Sequence, residues 1–221
     1  MAAIKREIIQ LLKEEILSLQ LKPGTIISET TLSERFKISR TPIRDILKQL
    51  SAEGYVDIYP QKGSVVSYID LESVEQIIYL RSTLEKEMIK ELSAYIPLKG
   101  LHQLHDLLTS QEDCLKKEDA FGNFMALDDA FHKTFFTLTG RLFLWDIIQQ
   151  FNAHYLRYRK LHMLKKEKLS EILKEHQLIV SHIVEGKTEE IDALIHHHIR
   201  ADVNSLYFQE HFADYIKKEK N

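Results

Sequence analysis

Apolar residues recur every three or four positions along most of this chain, the spacing of one helical face, with a single interruption near residue 55. Ile4, Ile8, Leu11, Leu12, Ile16 and Leu19 predict an amphipathic helix over residues 3–20, and residues 21–27 read as an extended connection. Two short helices follow. Ser28 and Thr31 both suit the first helix cap, and Thr31 with Glu34 has capping-box spacing. Leu32 and Phe36 face inward, and Lys37 with Ile38 makes the turn. Ser39 caps the second helix, and Pro42 lies in its first turn, where a missing N–H costs little. Ile43, Ile46, Leu47 and Leu50 form its apolar stripe, which leaves Arg40, Thr41, Arg44 and Lys48 on the outer side. Gly54 marks the end of that helix. The period then changes to two: residues 55–59 and 64–68 alternate like strands around a Pro60-Gln61-Lys62-Gly63 turn.

From Asp70 onward the pattern is helical throughout. Asp70 or Ser73 caps a long helix carrying Val74, Ile77, Ile78, Leu80, Arg81, Leu84 and Met88. Further stripes predict helices over 98–117, 119–139, 141–163, 165–185 and 188–217, six in all and enough for a bundle. The fold class is therefore mainly α. A helix-turn-helix segment with a small two-stranded wing fills residues 1–69, and an all-helical domain fills 70–221, with a short junction between them.

Charge changes the picture only locally. The net charge is -3, so no whole-protein field draws this chain to nucleic acid. Residues 1–70 hold 10 Lys plus Arg against 9 Asp plus Glu, so affinity for DNA has to come from the placement of a few side chains and from two copies binding together. The single cysteine, Cys114, excludes an internal disulfide framework and fits a reducing cytoplasm. No signal-peptide pattern and no apolar run of membrane length is present, which gives no membrane partner.

A helix N-terminus carrying Arg40, Thr41 and Arg44 suits phosphate and base-edge contact in a major groove. Helix, turn, helix and wing in that order is the winged-helix layout. Four stretches carry a closer likeness: Leu21-Lys22-Pro23-Gly24, Ser39-Arg40-Thr41-Pro42-Ile43-Arg44, Glu53-Gly54-Tyr55-Val56 and Lys62-Gly63-Ser64-Val65-Val66. On these the first third of the chain resembles the DNA-binding domain of GntR-type bacterial transcriptional regulators. The resemblance implies that Arg40, Thr41 and Arg44 reach bases or phosphates, with Lys48 and Lys62 as further contacts and Gly63 at the wing tip near the minor groove. Departures are Lys37, where the family often has Gly, Asp45, where many members have Glu, and Thr30, where some have a basic residue.

Polar residues interrupt the helical stripes at a few places. Asp128 and His132 are four apart, on the face of Phe121, Phe124, Met125, Phe131 and Phe135. His176 falls in the stripe of Ile172, Leu173, Ile179 and Ile183, and His198 continues that of Ile191, Leu194 and Ile195. A buried carboxylate is costly unless paired or bound to a metal. One Asp and three His from three helices suit zinc, nickel, manganese or iron, with zinc or nickel put first. The alternative is a set of satisfied core histidines: His105, His154 and His162 also lie near stripes, whereas His102, His182, His196, His197 and His211 fall on outer faces.

The region from Asp70 is similar to the helical FCD effector domain of the FadR subgroup, on Asp128-Asp129-Ala130-Phe131-His132, Glu175-His176 and His198-Ile199. The resemblance implies metal ligation by Asp128, His132, His176 and His198, and a small organic acid held at the metal's open positions. Arg81 matches a family arginine facing that pocket; its other reading is a surface salt bridge to Glu85. Gly140-Arg141 stands where the family often has Gly-Asn. The expected function is a cytoplasmic, homodimeric transcriptional regulator, in this family most often a repressor. It binds a double-stranded inverted-repeat operator and answers to the acid. A sensor of the metal itself and a metal-dependent hydrolase are the rival readings.

Overall fold

The computed structural model describes residues 2–60, 63–117, 120–162, 166–200, 208 and 210–217. The chain forms two compact units: one of residues 1–74, 150–160 and 204–221, the other of residues 75–149 and 161–203.

The first unit opens with α1 (Ala2–Leu17), β1 (Ile26–Ile27), α2 (Glu29–Phe36), α3 (Arg40–Ala52), β2 (Val56–Tyr59) and β3 (Gly63–Val66). The α1 stripe buries Ile8, Ile9, Leu12 and Ile16 against Leu32, Ile43, Ile46, Leu50 and Val66, while Ile4 and Leu11 stay exposed. Two ion pairs tie α1 down at the surface, Arg35 to Glu15 and Lys13 to Glu53. The first cap is Ser28, whose hydroxyl accepts from the Thr30 N–H, so Thr31 lies inside α2 and the expected capping box does not form. Lys37 takes the left-handed conformation, φ 53°, at the turn. A residue with a Cβ is strained there, which is the physical sense of a glycine preference at this place.

The sheet has three strands rather than two, in the order β1-β3-β2, all antiparallel. β1 pairs Ile26 with Val65 and Ile27 with Ser64. Two residues are too short for a period-two pattern to register, so the sequence reading missed it.

The helical part comprises α4 (Leu71–Ala94), α5 (Leu98–Leu115), α6 (Ala120–Leu138), α7 (Leu142–Phe151), α8 (Ala153–His162), α9 (Lys166–Glu185) and α10 (Thr188–Arg200). Asp70 caps α4 by accepting from the Glu72 and Ser73 N–H groups at 3.1 and 3.4 Å. In the second unit α5 packs on α6 and α9, and α9 packs on α10. Phe124, Phe131, Phe135 and Phe136 are fully buried on α6. Gly100 makes the α5–α6 contact close: a Cβ there would meet both Leu138 methyls at 2.7 Å.

Two helix expectations fail. The span 141–163 is two helices, broken at the buried Asn152, a weak helix former. Of the span 188–217, Thr188–Arg200 is one helix and residues 208, 210 and 211 are again helical, but residues 212–217 leave the helix. Residues 213–215 form a 3-10 turn, and Ile216 bridges to Ile69. The Ile69 N–H donates to the Tyr215 carbonyl at 2.8 Å, and the Lys217 N–H donates to the Ile69 carbonyl at 2.9 Å.

The helix break has a structural use. Residues 150–160 belong to the first unit, where Ala153 joins the winged-helix core. Arg157, fully buried, donates through Nη1 to the Ser67 carbonyl at 2.6 Å. Its Nη2 donates to Ser67 Oγ at 2.9 Å, to the Gly54 carbonyl at 3.4 Å and to His154 Nδ1 at 3.1 Å. His154 Nδ1 also accepts from the Asp70 N–H at 3.2 Å, so the ring is neutral with its proton on Nε2. Burial and the Arg157 charge hold His154 down at about 4, and burial pulls Arg157 down to about 10.

Candidate metal centre and DNA-facing helix

The outer face of α3 presents the expected side chains. Arg40, Thr41, Arg44 and Lys48 are all exposed, because Ile43, Ile46, Leu47 and Leu50 turn the opposite face inward. Ser39 is the N-cap residue, but its hydroxyl makes no capping hydrogen bond. Lys62 lies outside the described residues. Gly63 is exposed with φ 91°, and nothing stands within 4 Å of where a Cβ would be, so this edge of the wing is open. Among the described residues Arg40 and Lys48 are in no ion pair. Arg44 is gripped by Glu29, Nε to Oε1 and Nη2 to Oε2, both at 3.0 Å. The sequence reading missed Glu29. Its only signal was a carboxylate in the first turn of the preceding helix.

In the second unit the four expected ligands come together. Asp128, His132 and His176 are buried, and the His198 side chain is only 4% exposed. His198 Nε2 lies 3.2 Å from the Nε2 of both His132 and His176. The Asp128 carboxylate lies 3.6 Å from His176 Nε2 and 3.8 Å from His132 Nε2. Phe131 stacks on the His176 ring at 4.1 Å and closes one side. Asp129 is half-buried on the flank, one residue off the stripe.

Each ring is turned by a second residue. His132 Nδ1 meets Glu85 Oε2 at 2.6 Å, His176 Nδ1 meets Gln111 Oε1 at 2.9 Å, and His198 Nδ1 meets Glu175 Oε2 at 2.7 Å. An oxygen acceptor at every Nδ1 puts the proton there and leaves every Nε2 as a lone pair. Three lone pairs and a carboxylate facing one another in a dry interior repel unless a cation is shared among them. Nitrogens 3.2 Å apart match the spacing around an ion bonded at about 2 Å. The donor set therefore fits a divalent metal.

Arg81 is 2% exposed, and its Nε donates to Glu85 Oε1 at 2.8 Å, so the ion pair with Glu85 is buried rather than on the surface. Through Glu85 it braces the His132 ring. Glu85 was expected only as a surface partner of Arg81, and Gln111 was not expected at all, although each is a polar residue inside an apolar stripe. His182, expected outside, is 4% exposed and meets Glu190 at 3.2 Å. His105, His196 and His197 are exposed.

Comparison with known proteins places this geometry. Residues 4–66 match the family described as bacterial regulatory proteins, gntR family, and residues 76–201 match the FCD domain. The HTH-type transcriptional repressor RspR of Escherichia coli K12 is 24% identical over 217 residues, covering 98% of this chain and 95% of that protein. The gluconate operon transcriptional repressor of Bacillus subtilis is 26% identical, covering 78% of this chain and 72% of that protein. Among solved structures, a GntR regulator from Rhodococcus sp. RHA1 superposes with a TM-score of 0.74 at 16% identity, covering 92% of this chain and 97% of that one. McbR/YncC of E. coli gives 0.70 at 18%, covering 95% and 100%. These structures share the fold. No described helix is long and apolar enough to cross a membrane. The hydrolase reading falls, since family and relatives are regulators of transcription. The chain belongs to the gntR family of bacterial regulatory proteins with an FCD domain, and it is a DNA-binding transcriptional regulator.

Proposed function

We propose that this regulator is a repressor whose hold on its operator is set by a small organic acid bound at a divalent metal in the helical unit. The observation that carries the reading is the convergence of the His132, His176 and His198 Nε2 atoms beside the Asp128 carboxylate, each ring locked from behind by Glu85, Gln111 or Glu175. Such a metal would supply a Lewis-acid centre with positions left for a chelating carboxylate. The protein's own part is to keep the three Nδ1 protons in place, to exclude water with Phe131 and its neighbours, and to offset the ion's charge with Asp128.

On the DNA side, Arg40 is the guanine reader. Arg44 and Thr41 reach base edges or phosphate, Lys48 and Lys62 hold register on phosphate, and Gly63 approaches the minor groove. Two copies bind an inverted repeat, since a nearly neutral head needs a second one for affinity. Exposed Tyr79 on α4 and Phe143 on α7 are apolar side chains that a second copy would cover. The setting is the cytoplasm.

The test is threefold. Metal analysis of purified protein should find about one ion per chain. Thermal-shift screening of small di- and tricarboxylates should find acids that raise the melting temperature only when the metal is present. The same acids should release a duplex selected from a random library. Protein that carries no ion when purified and takes up none from added metal refutes the site.

A second reading, in which the ion itself is the signal, is favoured by one observation: the Arg81 guanidinium is engaged by Glu85. Duplex binding that follows chelation and ignores every acid would choose it.

A further inference from the structure

We infer that Glu29 is a positioning residue for DNA recognition, holding Arg44 by one edge of its guanidinium so that the other edge meets the duplex. The inference rests on the reading of Arg44 as a contact to base edges.

A guanidinium has two edges that can each make a pair of parallel hydrogen bonds, one through Nε and an Nη, the other through both Nη atoms. Glu29 occupies the first edge completely, with Nε and Nη2 each 3.0 Å from a different carboxylate oxygen. The end edge, Nη1 with Nη2, is left to point away from the carboxylate. The two partners are not equally mobile. The Arg44 side chain is 61% exposed and the Glu29 side chain 33%, so the carboxylate is the anchored member. Glu29 owes this to its backbone: Ser28 caps α2, and Glu29 is the first helical residue, where the helix dipole favours an anion. The Arg44 hydrogen bond holds its carboxyl below the usual range, with Arg40 adding to the pull.

An exposed ion pair adds little to stability. A carboxylate beside a surface meant for phosphate also lowers affinity for any DNA. Stability and raw affinity therefore give Glu29 no reason to be there. Discrimination does. An arginine free to rotate finds a phosphate on any sequence, whereas one held side-on offers its fork in a single direction and is satisfied only by an acceptor pair in that place. Glu29 exchanges general affinity for selectivity.

The test uses the full chain. Wild type, Glu29→Gln and Arg44→Ala are each passed through selection on a library of random duplexes. Each is then titrated against its selected duplex and a scrambled one over a range of salt concentrations. Gln keeps the size of Glu29 and one of its two hydrogen bonds, and melting curves verify that the fold is kept. Glu29→Gln is expected to lose about tenfold in the ratio of selected to scrambled affinity. Its scrambled affinity should rise, and its slope of log K against log salt should steepen by about one. Arg44→Lys, which cannot be gripped by two parallel bonds, should show the same loss of ratio. If Arg44→Ala loses the ratio and Glu29→Gln keeps it, the positioning role is wrong and the DNA contact stands. If Arg44→Ala keeps the ratio, the base-edge contact itself is wrong.

Discussion

Arg157→Met tests how firmly α8 is fastened to the winged-helix core. The guanidinium commits four N–H groups, Nε to the Ala153 carbonyl, Nη1 to the Ser67 carbonyl and the two of Nη2 shared among Ser67 Oγ, the Gly54 carbonyl and His154, at roughly 1.5 kcal/mol each for a charged donor, which sums to about 6 kcal/mol. Against this stands the cost of burying it without a carboxylate. Its fall from 12.5 to about 10 corresponds, at about 1.4 kcal/mol per pH unit, to about 3 kcal/mol returned when the charge is removed. Met fills most of the same volume, so the cavity is small. The net loss is about 3 kcal/mol. It concentrates on the Ser67 carbonyl, because Gly54 keeps the Ser67 hydroxyl and His154 keeps the Asp70 N–H as partners. Urea unfolding should show a loss of this size, and hydrogen exchange should show faster exchange across residues 66–70 than in wild type. Arg157→Lys keeps the charge but not the fork and should recover less than half. An Arg157→Met protein within about 1 kcal/mol of wild type would refute the view that this side chain fastens the helix.

Three further outcomes are expected. Glu85→Gln keeps an acceptor for His132 but loses the charge that Arg81 and the ring share, so metal affinity measured against a chromogenic chelator should fall about 10- to 100-fold. His154, held at about 4 against an ordinary 6.5, should make the protein lose stability as pH falls. The unfolded chain takes up the proton first, so up to about 3 kcal/mol present above pH 6.5 disappears towards pH 4. Comparing denaturation of wild type and His154→Gln across that window isolates the term, since only wild type should carry it. Leu50→Ala, at a fully buried position in the winged-helix core, should cost about 2–5 kcal/mol in chemical unfolding.

The places where the sequence could be read, and where it could not, divide on the range of the forces involved. The α3 face was plain, because Ile43, Ile46, Leu47 and Leu50 fix which side turns outward and the polar side chains follow. The convergence of Asp128, His132, His176 and His198 could be anticipated for the same reason: they interrupt apolar stripes, and a buried carboxylate needs an explanation. What periodicity cannot carry is the partner of a polar group. Glu85 behind His132, Gln111 behind His176 and Glu29 beside Arg44 lie 47, 65 and 15 residues away in the chain. The break at Asn152 was invisible because the apolar spacing runs through it, and β1 because two residues have no period. His182 was misplaced because burial at a helix end depends on the neighbouring turn. There the Lys187 N–H closes onto the His182 carbonyl.

The pairing of Ile69 with Ile216 also bears on how the protein is made. At roughly 5–20 residues per second, the 147 positions from Ile69 to Ile216 take on the order of 7–30 s to synthesise. Until then the nascent winged helix lacks Ile216 beside Ile69, and for the first part of that interval it also lacks Arg157 on its Ser67 carbonyl. A product stalled before Ile216 should therefore carry a loosened winged helix that proteases reach, and only a chain that includes Ile216 should bind the operator at full strength.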